Sequence, residues 1–359
     1  KKKILVVDAN LNKGNDRTWC FWEDQAGPFE SIVYKTWSNI EVLKGAMHRS
    51  LPTAPFEYKM IQGIDFYNYI IEKAKEWPSI TWKEGLITDI EDKGGVGCVH
   101  WNGGEAEANY VFSSILNEGS LYDISQKKLS KPFLWQHFKG RLVEFEEAVF
   151  DTKVAKLMDF NVDQKGHTAF MYLLPLTNKT ALVEYTLFSP ELLEGSEYDQ
   201  VLDTYLEKEF AQKKYAIAHV EKGAIPMTSV KLSASKFPIY TIGTLGNAVK
   251  SSTGYAFHFI QEQSKKIVKA LATDTTIDTE VHQSRHQFYD AVLLYILYHH
   301  KMEGSEIFTS LFSSNTAATI FKFLSNTSTI GEDLQIMRTL PTRIFLPAAI
   351  RVMASSYNG

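Results

Sequence analysis

The first pattern along the chain is a short apolar run, Ile4-Leu5-Val6-Val7, closed by Asp8. Such a run with an acid at its tip predicts a buried parallel strand. In a dinucleotide-binding fold this is the second strand, and its terminal carboxylate holds a ribose hydroxyl. The glycine-rich turn of that fold belongs roughly 20 residues earlier, so the sequence is expected to start one strand late. An ordinary α/β strand is the competing reading. Residues 14–22, dense in polar and aromatic side chains, read as a loop. Over 64–77, Ile64, Tyr67, Ile70, Ile71 and Ala74 form one stripe, which predicts a helix. Short strands follow at 80–83, 86–90 and 97–101. After the Asn102-Gly103-Gly104 turn, residues 107–113 are expected to pair back as a hairpin.

Residues 134–230 read as strand-rich, with strands at 169–174 and 180–186 around a turn at Thr177-Asn178-Lys179. A helix is expected over 196–212 and a strand over 215–221. From Ile239 the α/β pattern returns: Tyr240-Thr241-Ile242-Gly243 is a strand end, followed by Gly246, Ser252-Thr253-Gly254 and a helix over 255–271. A helix N-terminus preceded by small residues is an anion site, because its free N–H groups and dipole favour phosphate. Beyond Asp274 the pattern is helical, at 288–300, 304–312, 317–324 and 341–354, broken by Gly, Ser, Asn and Pro. This tail is rich in Ile and Phe, and two destinations stay open for it: the core, or a bilayer surface.

Composition narrows the class. A hydrophobic fraction of 44% and a charged fraction of 22% belong to a folded globular chain. A net charge of −4 gives no basis for a nucleic-acid partner. Aromatics reach 13%, open to a packed core or to a pocket for an extended apolar ligand. The two cysteines, Cys20 and Cys98, read as reduced thiols of a cytoplasmic protein. No run reaches the ~18–20 apolar residues of a membrane span, so the chain is expected to be soluble or to lie on a membrane. His282 and His286 share a helix face at a metal-ligand spacing, but no third ligand is evident, and a surface pair is the expectation.

Several blocks together carry a resemblance. They are Asp8 with Asn15, Thr18, Trp19 and Phe21; Trp135-Gln136-His137-Phe138-Lys139-Gly140; Leu157-Met158-Asp159-Phe160; and Phe170 to Leu176. The series continues with Leu182-Val183-Glu184-Tyr185-Thr186, Glu221 to Met227, and Gly243, Gly246, Lys250 and Ser252-Thr253-Gly254-Tyr255. In this order, over roughly residues 8–271, the chain resembles the bacterial lycopene β-cyclases. The resemblance implies an α/β chain of Rossmann-like FAD-binding flavoprotein fold, with an inserted, mostly antiparallel β-sheet substrate domain and a helical C-terminal region. The expected domains are 1–125 with 236–275 for FAD, 126–235 for substrate, and 276–359 as helices. It further implies a cytoplasmic, peripherally membrane-associated enzyme that closes β-ionone rings on lycopene or another linear carotene. Reduced FAD, with NAD(P)H as electron source, would be required without net redox change. The departure from the family is the glycine-rich loop, which would supply half of the pyrophosphate contacts.

Cyclisation needs a proton delivered to an unactivated alkene, so a carboxyl kept protonated by an apolar pocket is expected. The resulting cation needs shielding from water, which suits aromatic faces. Glu184 is the first candidate acid; it shares a strand face with Leu182 and Thr186, and a solvent-facing strand-edge glutamate is the alternative. Glu221 is the second, and Asp159, which could instead order its strand, the third. Trp135, Phe138, Phe170 and Tyr172 are candidate substrate-lining aromatics, with core packing as the alternative for each. Asp8, Gly243, Gly246, Lys250, Ser252, Thr253 and Gly254 are the candidate cofactor residues, Lys250 being alternatively a solvated lysine. Two other functions stay open: another FAD-dependent oxidoreductase acting on a hydrophobic substrate (a monooxygenase or polyprenyl reductase), and a non-catalytic apolar-ligand or membrane-docking protein.

Overall fold

The computed structural model describes residues 2–115, 132–233 and 235–356. The expected domain boundary at 125/126 lies outside the described residues. The first part of the chain contains β1 (Ile4–Asp8), β2 (Thr18–Glu23), β3 (Lys35–Trp37), β4 (Asn39–Lys44), β5 (Met47–Pro52), β6 (Glu57–Gln62) and helix α1 (Gly63–Lys75). Then come β7 (Ile80–Glu84), β8 (Ile87–Asp92), β9 (Gly97–Trp101), β10 (Gly104–Ala108) and β11 (Val111–Ser113). The middle holds β12 (Phe133–Phe145), β13 (Val154–Asp159), β14 (Thr168–Pro175), β15 (Thr180–Ser189), α2 (Gly195–Glu209), β16 (Tyr215–Thr228) and β17 (Ile239–Thr241). Helices α3 (Phe257–Thr273), α4 (Ser284–Tyr298), α5 (Gly304–Ser314), α6 (Ala317–Leu324), α7 (Ile330–Arg338) and α8 (Thr342–Ser356) complete it.

The strand pairings correct several sequence expectations. Residues 18–23, read as loop, form β2, which pairs antiparallel with β6. Strands β3 to β6 and helix α7 carried no readable signal. The expected strand over 107–113 splits: β10 closes the hairpin with β9, while β11 pairs parallel with β17. Strand β1 does pair in parallel, with β7, but Ile4 and Leu5 are 49% and 41% exposed rather than buried. The pairs β1–β7 and β11–β17 stand as separate sheets among the described residues.

A seven-stranded sheet in the order β16-β12-β15-β14-β13-β4-β5 organises the rest. It is antiparallel except between β13 and β4. It also extends beyond residues 126–235, since the hairpin β4–β5 joins its far edge. Strand side chains alternate between faces, and the two faces have different partners. Ala169, Met171, Val183, Tyr185 and Leu187 pack under α2 against Tyr198, Leu202, Tyr205 and Leu206. Phe170, Leu174, Leu182 and Phe188, one register over, face the C-terminal helices through Phe308, Phe312, Ile320 and Phe321. The apolar tail therefore fills the core. Trp22 of β2 stacks on Phe321 at 4.6 Å and meets Tyr255 edge-on, tying the tail to the N-terminal strands.

Candidate active site

The even-numbered face of β12, β14 and β15 forms the floor of a cavity of about 410 Å³. Phe138, Phe170, Leu174, Leu182 and Phe188 give it an apolar lining, while β2 and the segment entering α3 form its roof. Two carboxylates stand in this apolar space. Glu184 lies in the middle of β15, and Glu221 on β16, two strands away. Their side chains nevertheless approach each other over Gly140, where an added Cβ would lie 3.2 Å from Glu221 Cγ and 3.4 Å from Glu184 Cβ, close enough for the Glu221 charge to act on Glu184. Thr186 Oγ1 donates to Glu184 Oε1 at 2.9 Å, and Thr18 Oγ1 donates to Glu221 Oε2 at 2.9 Å.

Burial raises the proton affinity of Glu184 well above the ordinary carboxylate range, and the neighbouring Glu221 charge raises it further. Burial raises Glu221 as well, against the Thr18 hydrogen bond and the His219 charge, which lower it. Two carboxylates side by side on a largely apolar, half-buried cavity wall do not both ionise cheaply, which favours one proton held on the pair. Around it, Cys20 and Tyr172 lie close to each other and are held protonated, chiefly by burial. The arrangement is a weak acid stored in an apolar chamber.

Where the roof meets the floor, the loop from β17 to α3 turns tightly. Gly243 and Gly254 have φ of +61° and +72°, the left-handed region that favours glycine. A Cβ at Gly246 would lie 2.3 Å from the Thr241 carbonyl oxygen, and one at Gly254 would lie 2.3 Å from Gln136 Oε1. Trp19 Nε1, Gln136 Oε1 and Thr253 Oγ1 are buried without a hydrogen-bond partner among the described residues, and their residues all line the cavity. Buried polar atoms are normally paired, so this corner fits a flat ligand with donors and acceptors along its rim, as a flavin ring has.

The structure sorts the remaining candidates. Lys250 and Ser252 turn away from the cavity: Lys250 Nζ lies 2.8 Å from Asp290 Oδ1 and 2.9 Å from Asn326 Oδ1, and Ser252 Oγ donates to Asp290 at 2.7 Å. Their side-chain polar atoms are thus engaged within the protein, and Lys250, 1% exposed, is no solvated lysine either. Asp8 sits at the tip of β1 as expected, paired with Lys13 at 2.7 Å. Asp159 is displaced from the acid role: it lies under α2, accepting from Tyr205 Oη and the Asn161 N–H, each at 3.0 Å. Trp135 points to the other sheet face and packs on Phe133, whereas Phe138, Phe170 and Tyr172 line the cavity.

The expected surface pair His282 and His286 is in fact buried, at 7% and 0% exposure. His282 bonds Asn326 Nδ2 and the Asn247 carbonyl, and His286 contacts Ser328. Three further cavity residues carry no such signal in the sequence: Thr18 and Cys20, whose surroundings read as loop, and Gln136. Nor does the sequence mark Glu91, Cys98 and His100, whose ligand atoms lie within 4.8 Å of one another. There the Lys93 ammonium supplies the cation, 3.0 Å from Glu91 and 3.6 Å from Cys98 Sγ.

Among the described helices, none is long and apolar enough to cross a membrane. A family model described as lycopene cyclase protein matches residues 1–349. A comparison with curated proteins finds no match. Solved structures of similar fold include a flavoprotein/dehydrogenase from Cytophaga hutchinsonii, with TM-score 0.56 and 12% identity over 90% of this chain and 83% of that one. A geranylgeranyl bacteriochlorophyll reductase-like protein from Thermoplasma acidophilum has TM-score 0.56 and 10% identity over 98% of both chains. Klebsiella pneumoniae HpxO, solved with FAD and uric acid, has TM-score 0.59 and 13% identity over 91% and 96%. The chain has the fold of FAD-dependent flavoproteins.

Proposed function

We propose a reaction from one premise: the chain belongs to the lycopene cyclase family. The reaction is acid-catalysed cyclisation of the end groups of lycopene, or a similar linear carotene, to β-ionone rings. The observation that carries it is the Glu184–Glu221 pair, two carboxyl groups set side by side on the wall of an aromatic-lined cavity. Glu184 donates its proton to the terminal double bond of an end group. The tertiary cation formed is attacked by the neighbouring double bond, which closes the ring. A proton is then lost from the adjacent ring carbon, and the carboxylate pair takes it back. Atoms and electrons balance without an oxidant, so the overall step is an isomerisation.

Phe138, Phe170 and Tyr172 exclude water from the cation and offer ring faces to it. Trp19, Gln136, Thr253 and Gly254 would hold a flavin, which when bound in reduced form would supply negative charge beside the cation; NAD(P)H is the proposed electron source. Asp8 would hold its ribose. The substrate reaches the cavity from a membrane surface, and the outward face of α8 supports that route: Leu346, Ile350 and Met353 are 47–55% exposed, with exposed Arg343 and Arg351 beside them and no acid in the helix.

The test is expression in a lycopene-accumulating host. Wild type is expected to convert lycopene to cyclised product, Glu184→Gln to lose roughly 100-fold or more, and Glu221→Gln a smaller but clear factor, the range typical of general acid catalysis. Untouched lycopene with the wild type, or consumption of about one NAD(P)H per product, would remove the assignment.

A further inference from the structure

Across the seven-stranded sheet one row of directly opposed residues reads Glu221, Gly140, Glu184, Tyr172. Opposed residues share a face, so all four positions look into the cavity. Neighbouring strands lie about 4.8 Å apart, so the backbones bearing Glu221 and Glu184 are separated by roughly twice that distance. Two glutamate side chains leaning together across such a gap pass over the position between them, and a side chain there would push them apart. Gly140 is that position. A Cβ there would lie 3.2 Å from Glu221 Cγ, 3.4 Å from Glu184 Cβ and 3.1 Å from Leu182 Cδ1. Gly140 is not among the residues of positive φ, so the backbone gives no reason for glycine, and glycine inside a strand weakens it. The reason lies in the space above it.

We infer that Gly140 is the positioning residue of the acid: its missing side chain is the opening through which Glu184 and Glu221 meet and share one proton. The threonines complete the arrangement, since Thr18 and Thr186 each bind one oxygen of a carboxyl and so fix its direction. The other ionisable groups facing the pair are Cys20 from β2, Tyr172 from β14, Tyr255 ahead of α3 and His219 from β16; Asp16, Arg17 and Lys222 line the same cavity. Only the activity arm of the test below rests on the cyclase reading.

The full chain carrying Gly140→Ala or Gly140→Val, each alone and with Glu221→Gln, is followed first without substrate. The infrared carbonyl band of a protonated carboxyl, assigned by its loss in Glu184→Gln, is titrated with pH. In wild type it is expected to persist well above the ordinary glutamate range. In the Gly140 variants it disappears at lower pH, because the Glu221 charge, moved away, no longer raises Glu184, and Glu221→Gln then has little further effect on it. With lycopene, Gly140→Ala is expected to lower kcat about tenfold with KM held within about twofold, and to move the alkaline limb of the pH profile to lower pH. In the Glu221→Gln background the same substitution should cost less than about twofold, since the pair is already broken. An unchanged titration in folded Gly140 variants, or equal losses in both backgrounds, overturns the inference. Thermal melting establishes folding, and alanine decides the outcome if valine does not fold. If the infrared titration moves as expected while wild type leaves lycopene untouched, the cyclase reading falls and the positioning role stands.

Discussion

His137 shows how closely the fate of a side chain follows strand parity. It lies on β12 between cavity-facing Gln136 and Phe138, yet points to the opposite face, where its ring nitrogens meet Tyr198 Oη and Ser189 Oγ. Burial there pushes its pKa down to about 4. The folded state thus holds a neutral imidazole, whereas an unfolded histidine titrates near ~6.5. The associated stability is present above about pH 6.5 and is lost as pH falls toward about 4. Denaturant melts across that window should show the loss, and His137→Gln should reduce it. The same parity governs what the sequence reveals. Alternation puts Glu184 on one strand face with Leu182 and Thr186, and all three do line the cavity, but it was the family motif that set Glu184 apart from a solvent-facing glutamate. Trp135 was placed in the cavity with Phe138 although three residues on a strand reverse the face. Gly140 could not be read at all, since its meaning depends on what lies opposite on two other strands.

At the scale of elements, long periodic segments were the readable ones. Helices α1, α2, α3, α5 and α6 stand close to where their stripes predict them, as do β14 and β15. Strand β2 was hidden because Thr18, Trp19 and Cys20 read as loop chemistry, and only pairing with β6 makes them a strand. Helix α8 carries two apolar faces: Phe345, Ala348 and Val352 pack on the core, while Leu346, Ile350 and Met353 face outward. Burying one large apolar side chain is worth about 1.5–3 kcal/mol, so the outward set is sufficient for interfacial binding. Wild type is therefore expected to co-sediment with phosphatidylglycerol vesicles, and Leu346→Glu with Ile350→Glu to weaken that by about tenfold or more. Equal sedimentation of both proteins would exclude α8 as the contact.

For the whole molecule, the binding corner and the helical tail are joined by a buried ion pair. Lys250 and Asp290 are 1% and 5% exposed at their side chains, and Asn326 and His282 extend the network into the segments flanking α6 and α4. Removing one partner of such a pair leaves an uncompensated charge, at a cost of about 3–5 kcal/mol. Lys250→Met should reduce unfolding stability by that amount in urea, and Lys250→Met with Asp290→Leu by less. The sequence marked Lys250 as special but gave no sign of Asp290, 40 positions on, because burial and pairing over that distance exist only after folding.

Among the described residues, strand β16 is the rim of the seven-stranded sheet, bonded on one side alone. Glu184 is therefore clamped in the interior while Glu221 rides on a margin, where Ile217 and Val220 are 46% and 47% exposed. Such an unsatisfied margin accepts added strands and frays more readily than the interior. On the proposed reading, stiffening or loosening this border is therefore expected to change how tightly the pair holds its proton.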